Sequence, residues 1–171
     1  KAMQLVAKPW IHWPKTKDET VNRHVERSIT AVLTAYDVQN GPMDAKLRRW
    51  LQFHLDFLSA RACKFRGYWD VPPTLAAPGA PDVKCSVYVN PTRKNAVLWL
   101  LNAGKEDRDV QGLTFSAELL GRADLRSAFD AETGAPLATE LAGETKGVKS
   151  YRLTASLPIR TMDMFAAGEG G

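Results

Sequence analysis

The spacing of apolar residues changes along the chain, and the change predicts two kinds of structure. Between Asp18 and position 35 the apolar residues recur at steps of three and four, which is the period of an amphipathic helix. A second helix is predicted after the turn-forming stretch 36–42, YDVQNGP. A short buried strand, MQLVA at 3–7, is predicted ahead of both helices. The apolar stripe of the second helix consists of Leu47, Trp50, Leu51, Leu55, Phe57 and Leu58.

Beyond residue 82 the apolar period changes to two, which is the period of β-strands. Seven short strands separated by turn residues predict an antiparallel β-sandwich. Corners are expected at Asn90-Pro91, Gly112, Gly134 and Gly143, and a frayed tail at the glycines from Gly168 onward. The predicted strands are KCSVYVN, NAVLWLLNA, GLTFSAELL, LRSAFDA, PLATEL, KSYRLTA and IRTMDMFAA.

The predicted fold class is α+β, in which a short strand and two helices precede the antiparallel β-sandwich. The first segment, 1–69, does not close a core alone, so it is interpreted as the end of a TIM-barrel-like α/β domain. A Pro-rich linker is predicted over 70–81, because DVPPTLAAPGAPD at 70–82 holds four of the ten prolines and has no apolar period. The sandwich domain is assigned to 82–168.

Charge and cysteine content exclude some functions. The 23 basic and 19 acidic residues are interspersed, whereas a nucleic-acid-binding protein normally carries a clustered basic stripe, so no nucleic-acid partner is expected. No apolar run is long enough to cross a bilayer, so no membrane partner is expected. The two cysteines, Cys63 and Cys85, make neither a metal site nor a disulfide framework. Two buried thiols and a single disulfide both remain open.

The chain carries no self-sufficient set of catalytic residues. Its three histidines, His12, His24 and His54, lack the spacing of a helical metal site, and no phosphate-binding glycine loop is present. Glycosidic hydrolysis needs two carboxylates at a controlled separation. The carboxylates of the helical half do not single out such a pair. We therefore expect no catalytic residue, no metal and no cofactor in this chain.

Aromatic residues in the loop KPWIHWPK are the strongest candidates for ligand binding. Trp10, His12 and Trp13 lie together there, and indole rings on a loop can stack on the apolar face of a sugar. Plugging the rim of a core is the alternative role for these rings. Asp37, just after the first helix, is a candidate to orient a substrate or to cap the turn.

The patterns RHVERSITAVLTAYDV, CKFRGYWD and KCSVYVNPTRKNAVLWLLNAGKEDRDV together resemble the C-terminal region of glycoside hydrolase-like proteins. The nearest group is the family 123-like β-N-acetylgalactosaminidases, in which a (β/α)8 barrel is followed by a β-sandwich. SAFDAETGAPL resembles a D-x-x-T-G hairpin of such sandwiches, formed here by Asp130, Thr133 and Gly134.

This resemblance implies that the sandwich packs against the end of a barrel and that the catalytic residues of the family lie outside this chain. What remains here is one wall of a substrate cleft, formed by Trp10, His12, Trp13, Tyr36 and Asp37. The expected partners are a glycan, bound by the complete protein, and an upstream barrel segment or partner chain. A stand-alone carbohydrate-binding module and a protein-interaction module are the alternatives. The sequence assigns no compartment.

Overall fold

The structure is a computed structural model of the 171-residue chain. The part of the chain that it describes consists of residues 17–22, 24–25, 28, 63–70, 75, 77–120, 124–125 and 127–170.

Ten β-strands and one short 3₁₀ turn, Ala117–Leu120, are found in these residues. Five of the ten strands have only three residues, and β2 and β3 are the longest at eight each. The strands are β1 Lys64–Arg66, β2 Val83–Asn90, β3 Asn95–Asn102, β4 Arg108–Val110, β5 Thr114–Ser116, β6 Ala128–Asp130, β7 Thr139–Thr145, β8 Val148–Leu153, β9 Leu157–Ile159 and β10 Met164–Glu169.

All strand pairs are antiparallel, and they form two sheets and one ladder. The large sheet has the order β1-β2-β3-β10-β6, and the small sheet has the order β5-β8-β7. Strands β4 and β9 pair only with each other. This arrangement agrees with the predicted sandwich, because the two sheets contribute side chains to a common core, including Leu98 and Leu100 from β3 and Phe115 and Leu153 from the small sheet.

The hairpin of β2 and β3 forms the centre of the large sheet. Its sequence is apolar on both sides of a polar turn, so the two strands can pair along their full length, from Val83 opposite Asn102 to Asn90 opposite Asn95. The Asn90 side chain accepts hydrogen bonds from the backbone N–H groups of Thr92 and Arg93 at 2.9 and 3.0 Å. This Asx turn fixes the point at which the chain reverses.

The large sheet is buried on both faces. Alternate residues of β3 point to the two sides, with Leu98 and Leu100 in the core shared with the small sheet. Val97, Trp99 and Leu101 lie on the opposite side and are 0–3% exposed. This second face also holds Tyr88, Ala131, Met164 and Ala166, and among the described residues Cys63 and Phe65 pack against it. A sheet buried on both faces lies between two other layers.

The described part of the chain shows neither predicted helix as a complete element. Of the first helix, only Glu19–Asn22, His24, Val25 and Ser28 are described, and they are helical. The second helix and the predicted strand at 3–7 lie outside the described residues. The described protein is therefore almost entirely antiparallel β-sheet.

Two glycine assignments were wrong. Gly143 lies inside β7 beside a register shift between Leu141 and Gly143, whereas the corner to β8 is made by Lys146 and Gly147. Gly168 is not in a frayed tail, because it pairs within β10 with both Val97 and Phe129. In the sequence, a glycine at a β-bulge or in a strand with few large side chains looks the same as a glycine in a turn.

The first strand of the large sheet, β1, precedes the predicted linker in the sequence. Strand β1 pairs with β2, with Phe65 opposite Tyr88, although its residues were assigned to the segment 1–69. Leu75 and Ala80, from the Pro-rich stretch, are buried in the core between the sheets. The division into segments 1–69, 70–81 and 82–168 stays a prediction.

Candidate functional site

The residues predicted to bind a substrate lie outside the described part of the chain. These are Trp10, His12, Trp13, Tyr36 and Asp37. Their role as a cleft wall stays a prediction, and the structure brings two other surfaces into view. One is an aromatic turn after β1, and the other is a cleft beside β10.

The aromatic turn consists of residues 67–70, GYWD, and follows the edge strand β1 directly. The backbone N–H of Asp70 donates a hydrogen bond of 2.8 Å to the carbonyl of Gly67, which closes the turn. The backbone N–H of Tyr68 donates to Ser86 Oγ in β2 at 3.1 Å. The first hydrogen bond closes the turn, and the second holds it against the large sheet.

Trp69 is the largest exposed side chain of this turn. It is 54% exposed, although Phe65 and Tyr68 are half-buried around it. The indole meets the rings of Phe65 and Tyr68 edge-on, with centroid distances of 6.0 and 5.0 Å. A β-carbon added to Gly67 would come within 2.4–2.6 Å of three indole carbons, so the indole lies directly against the glycine. The ring therefore has a defined orientation.

Charged groups surround the aromatic turn. Lys84 Nζ lies 5.8 Å from the centroid of the Tyr68 ring, within range of a cation–π contact. The same ammonium donates a hydrogen bond of 3.2 Å to the carbonyl of Pro81. Asp70 is exposed and Arg66 is half-buried. The turn thus combines a flat apolar ring with hydrogen-bonding groups of both charges.

Trp69 was not predicted from the sequence, although a signal was present. The stretch RGYWD places two neighbouring aromatic residues after a glycine. Neighbouring side chains of a turn or strand point in different directions, so Tyr68 and Trp69 cannot both pack inward. The pattern was assigned to the end of the helical segment, and this exposed ring was not predicted.

The second surface is a cleft of about 410 Å³ on the β6 side of the large sheet. It combines four carboxylates and two arginines with a floor of apolar side chains. Its lining residues are Asp107, Arg108, Asp130, Glu132, Pro158, Ile159, Arg160, Asp163, Met164, Phe165 and Ala166.

Several of these charged groups hold the walls of the cleft in place. Asp107 Oδ1 accepts a hydrogen bond from the Thr161 N–H at 2.8 Å, and Asp163 Oδ1 accepts one from the Met164 N–H at 2.7 Å. The Arg108 guanidinium pairs with Asp82 at 2.9 Å. These contacts assign a structural role to groups that otherwise resemble candidates for acid–base chemistry.

The predicted D-x-x-T-G hairpin is present and forms part of the cleft. Asp130 Oδ1 accepts hydrogen bonds from the backbone N–H groups of Glu132 and Thr133 at 2.8 and 3.4 Å. Thr133 Oγ1 donates to Asp130 Oδ2 at 2.8 Å, and Gly134 has a φ of 75°, which favours glycine. Phe129 then bridges to Pro136 on the returning chain. The aspartate therefore shapes a turn.

A cluster of charged and polar side chains lies on the small sheet, where Asp124 contacts two side chains of β8. Lys149 Nζ donates to Asp124 Oδ2 at 2.7 Å, and the Tyr151 hydroxyl donates to Asp124 Oδ1. The hydrogen bond from Lys149, followed by that from Tyr151, lowers the pKa of Asp124 to about 2. The pKa of Lys149 is raised by Asp124, and that of Tyr151 is raised by burial and by Asp124.

The two cysteines lie on opposite faces of the large sheet, and no disulfide joins them. Cys85 is buried in the core between the sheets, where burial raises the pKa of its thiol to about 12. Cys63 is half-buried against the second face. The sheet itself separates the thiols, so a disulfide between them would require the strands to move.

Within the described ranges, no metal-binding cluster and no membrane-spanning helix is found. No group of three or more His, Cys, Asp or Glu side chains among those residues is arranged to hold a metal ion. No helix in the same ranges combines the length and the apolar character that a membrane span requires.

Comparisons with known proteins give no family for this chain. No protein-family model matches the sequence, and no curated protein matches it significantly. The chain has a weak structural likeness to Abp, a GH27 β-L-arabinopyranosidase from Geobacillus stearothermophilus, in its wild-type form and as a variant bound to arabinose. The identity is 12%, the TM-scores are 0.35 and 0.36, and the match covers 53% of this chain and 17–18% of those chains.

A protein from Bacillus halodurans C-125 with a proposed α-N-acetylgalactosaminidase activity is similar at a TM-score of 0.38 and 12% identity. That match covers 55% of this chain and 19% of the other chain. This chain thus spans less than a fifth of the structures that it matches. TM-scores of this size establish neither a shared fold nor a shared function.

The family printed for these neighbours differs from the one that the sequence resembles. The neighbours are glycoside hydrolases, and those whose family is given belong to family 27. The assignment to family 123 is not supported. Only the coarser likeness to glycoside hydrolases agrees with them.

Proposed function

We propose that this chain is the accessory β-sandwich portion of a carbohydrate-active, glycoside hydrolase-like protein, and that the sandwich docks on a neighbouring domain without itself catalysing a reaction. The observation that carries the proposal is the second buried face of the large sheet. The glycan is then a partner of the complete protein.

The second face of the large sheet is built as an interface. In an antiparallel sheet with one face in water, apolar and polar residues alternate. Strand β3 does not alternate, because Val97 and Trp99 on the second face are as completely buried as Leu98 and Leu100 on the first. The small sheet covers the first face. A separate layer must cover the second.

The helical segment is the layer that we propose for the second face. Its predicted apolar stripe, which includes Leu47, Trp50 and Leu51, is broad and aromatic and needs a large partner surface. Chain connectivity supports this arrangement, because Cys63 and Phe65 follow the segment directly and pack on that face. The end of a barrel-like domain would thus rest on the sandwich.

The role of the carboxylates supports a non-catalytic sandwich. A glycosidase needs one carboxyl group that can transfer a proton and a second that can act as nucleophile or base. In the cleft beside β10, Asp130 accepts backbone hydrogen bonds that define a turn. Asp107 accepts a hydrogen bond from the N–H of Thr161, and Asp163 accepts one from the N–H of Met164 at the start of β10. We propose that hydrolysis, where it occurs, takes place in another part of the complete protein.

Activity assays on two forms of the protein test this function. The 171-residue chain is expected to release no nitrophenol from a panel of nitrophenyl glycosides. The native protein, isolated from its source with an antibody against the sandwich, is expected to have a mass far above 18.9 kDa and to hydrolyse at least one member of the panel.

Each outcome has a separate meaning. Turnover by the 171-residue chain alone would overturn the accessory role. A native protein that neither hydrolyses nor binds any glycan of the panel would overturn the carbohydrate-active assignment. A native mass near 18.9 kDa would remove the neighbouring domain from the proposal.

A further inference from the structure

We infer that Trp69 is the stacking platform of a sugar-binding site on the edge of the large sheet. The apolar face of a neutral pyranose ring would lie on the indole, and Asp70 and Lys84 would bind its hydroxyl groups. The choice of a sugar as the ligand rests on the proposed function, whereas the site itself rests on the geometry of the turn.

The indole is held in place before any ligand arrives. Gly67 lies against it so closely that a β-carbon there would be within 2.6 Å of the ring, and Phe65 and Tyr68 contact it edge-on. The turn is closed by the hydrogen bond from Asp70 to Gly67. A ring that keeps one orientation loses little conformational entropy on binding, which favours ligand affinity.

The area of the platform fits a small ligand. A tryptophan side chain that is 54% exposed offers on the order of 100 Å² of ring surface. A stable protein interface buries about 800 Å² on each partner. The other exposed large apolar side chains of the described residues, Val21, Leu141 and Met162, lie far along the sequence from Trp69. A single sugar ring matches the area of this indole better than a protein does.

The polar groups around the ring suit a ligand with many hydroxyls. Asp70 is next to Trp69 in the chain and supplies acceptors. Lys84 Nζ, held by the Pro81 carbonyl and above the Tyr68 ring, supplies donors. One carboxylate and one cation together carry no net charge, which favours neutral hydroxyl groups over a ligand of high net charge.

Titration calorimetry with cellotetraose, galactotetraose and N,N′,N″-triacetylchitotriose tests the site in the complete chain. We expect at least one of these probes to bind. Trp69→Ala should lower its affinity about tenfold, and Trp69→Phe should lower it less, because a smaller ring still stacks. Leu141→Ala removes an exposed apolar side chain from β7 and is the matched control, with no change expected.

A measurement on the unmodified protein keeps the test independent of variant folding. The chain has five tryptophans, so its ¹H–¹⁵N spectrum contains up to five indole signals, and the Trp69→Phe spectrum identifies the one from Trp69. Addition of the bound probe should shift that signal most.

Three results would overturn the site: no binding of any probe, a Trp69→Ala variant that binds as tightly as the unmodified chain, or shifts confined to other indoles. None of them bears on the accessory role, which depends on the native protein's mass and hydrolytic activity.

Discussion

At the scale of single residues, Asp124 shows how one exposed carboxylate can order a sheet surface. It joins the two β8 side chains Lys149 and Tyr151, and the Tyr151 hydroxyl in turn accepts a hydrogen bond from the Leu125 N–H at 3.2 Å. These contacts tie the chain ahead of β6 to the small sheet. They favour the charged form of Asp124, which is why its pKa falls to about 2.

We predict that Asp124→Asn lowers stability in a pH-dependent way. A carboxyl group whose pKa falls from 3.8 in the unfolded chain to about 2 in the folded protein stabilises the fold fully above pH 4. That contribution disappears as the pH falls through 2. The difference in Tm between the two proteins should be largest at pH 7 and should vanish near pH 2. Thermal unfolding followed by circular dichroism at pH 7, 4, 3 and 2 measures it.

Glu140→Gln provides the comparison for this experiment. Glu140 also pairs across the small sheet, with Arg152 at 3.0 Å, and both side chains are about half exposed. Such a pair contributes little to stability. Asp124 differs in accepting a second hydrogen bond, from the Tyr151 hydroxyl. A Tm difference for Asp124→Asn that stays constant from pH 7 to pH 2 would contradict the role assigned to its charge.

At the scale of elements, the sequence predicted the long strands well. The apolar runs KCSVYVN and NAVLWLLNA agree with β2 and β3 to within one residue at each end. Their boundaries are sharp because a polar turn with an Asx-forming residue, Asn90, separates them. The D-x-x-T-G turn was predictable for the same reason, since its hydrogen bonds are local.

Two of the short strands, β4 and β9, were not predictable, because their pairing is not local. Strands β4 and β9 have three residues each, RDV and LPI, which is too few to show a period of two. They exist because they pair with each other. Trp69 was missed for a related reason. Its exposure depends on the pairing of β1 with β2, which places Phe65 beside Tyr88 and leaves Trp69 outside.

Asn102 connects β3 to the ladder of β4 and β9, and we predict a large effect of its removal. Its side-chain amide is buried and donates to the carbonyls of Glu106 and Ile159 at 2.8 and 3.0 Å, while its oxygen accepts from the Gly104 N–H at 2.9 Å. Asn102→Ala removes the side-chain partner of three backbone groups, of which the Ile159 carbonyl is buried and the other two are partly buried. The expected loss is about 3 kcal/mol in the free energy of unfolding.

Denaturant unfolding of Asn102→Ala and Asn102→Asp measures this contribution. The aspartate variant keeps the acceptor for Gly104 but lacks the two donors and brings a carboxylate towards two carbonyl oxygens, so we expect it to be at least as unstable as the alanine variant. A loss below about 0.5 kcal/mol for Asn102→Ala would show that the connection contributes little.

At the scale of the whole molecule, the large sheet separates two environments, and each contains one thiol. Cys85 faces the small sheet, and Cys63 lies on the face where Trp99 is buried. Reactivity of the two thiols therefore reports on the two layers independently. Opening of the sandwich exposes Cys85, whereas loss of the layer over the second face exposes Cys63.

We predict that the second face opens before the sandwich does. Two single-thiol proteins are labelled with a disulfide reagent at increasing urea concentrations. Cys63→Ser keeps the Cys85 thiol, and Cys85→Ala keeps the Cys63 thiol. Cys63 should react at lower urea than Cys85, because an interface between domains is less cooperative than the core of a domain.

Cys85 should react only through the opened chain, because burial raises its native pKa to about 12 and thiolates alone attack the reagent. Its labelling rate should then level off near pH 9, the ordinary pKa of the thiol, since the opened state carries the reaction. A rate that keeps rising beyond pH 9 would place the reaction in the native core. Coincident urea midpoints for the two thiols would show that the covering layer and the sandwich unfold as one unit, which contradicts a separately folded accessory sandwich.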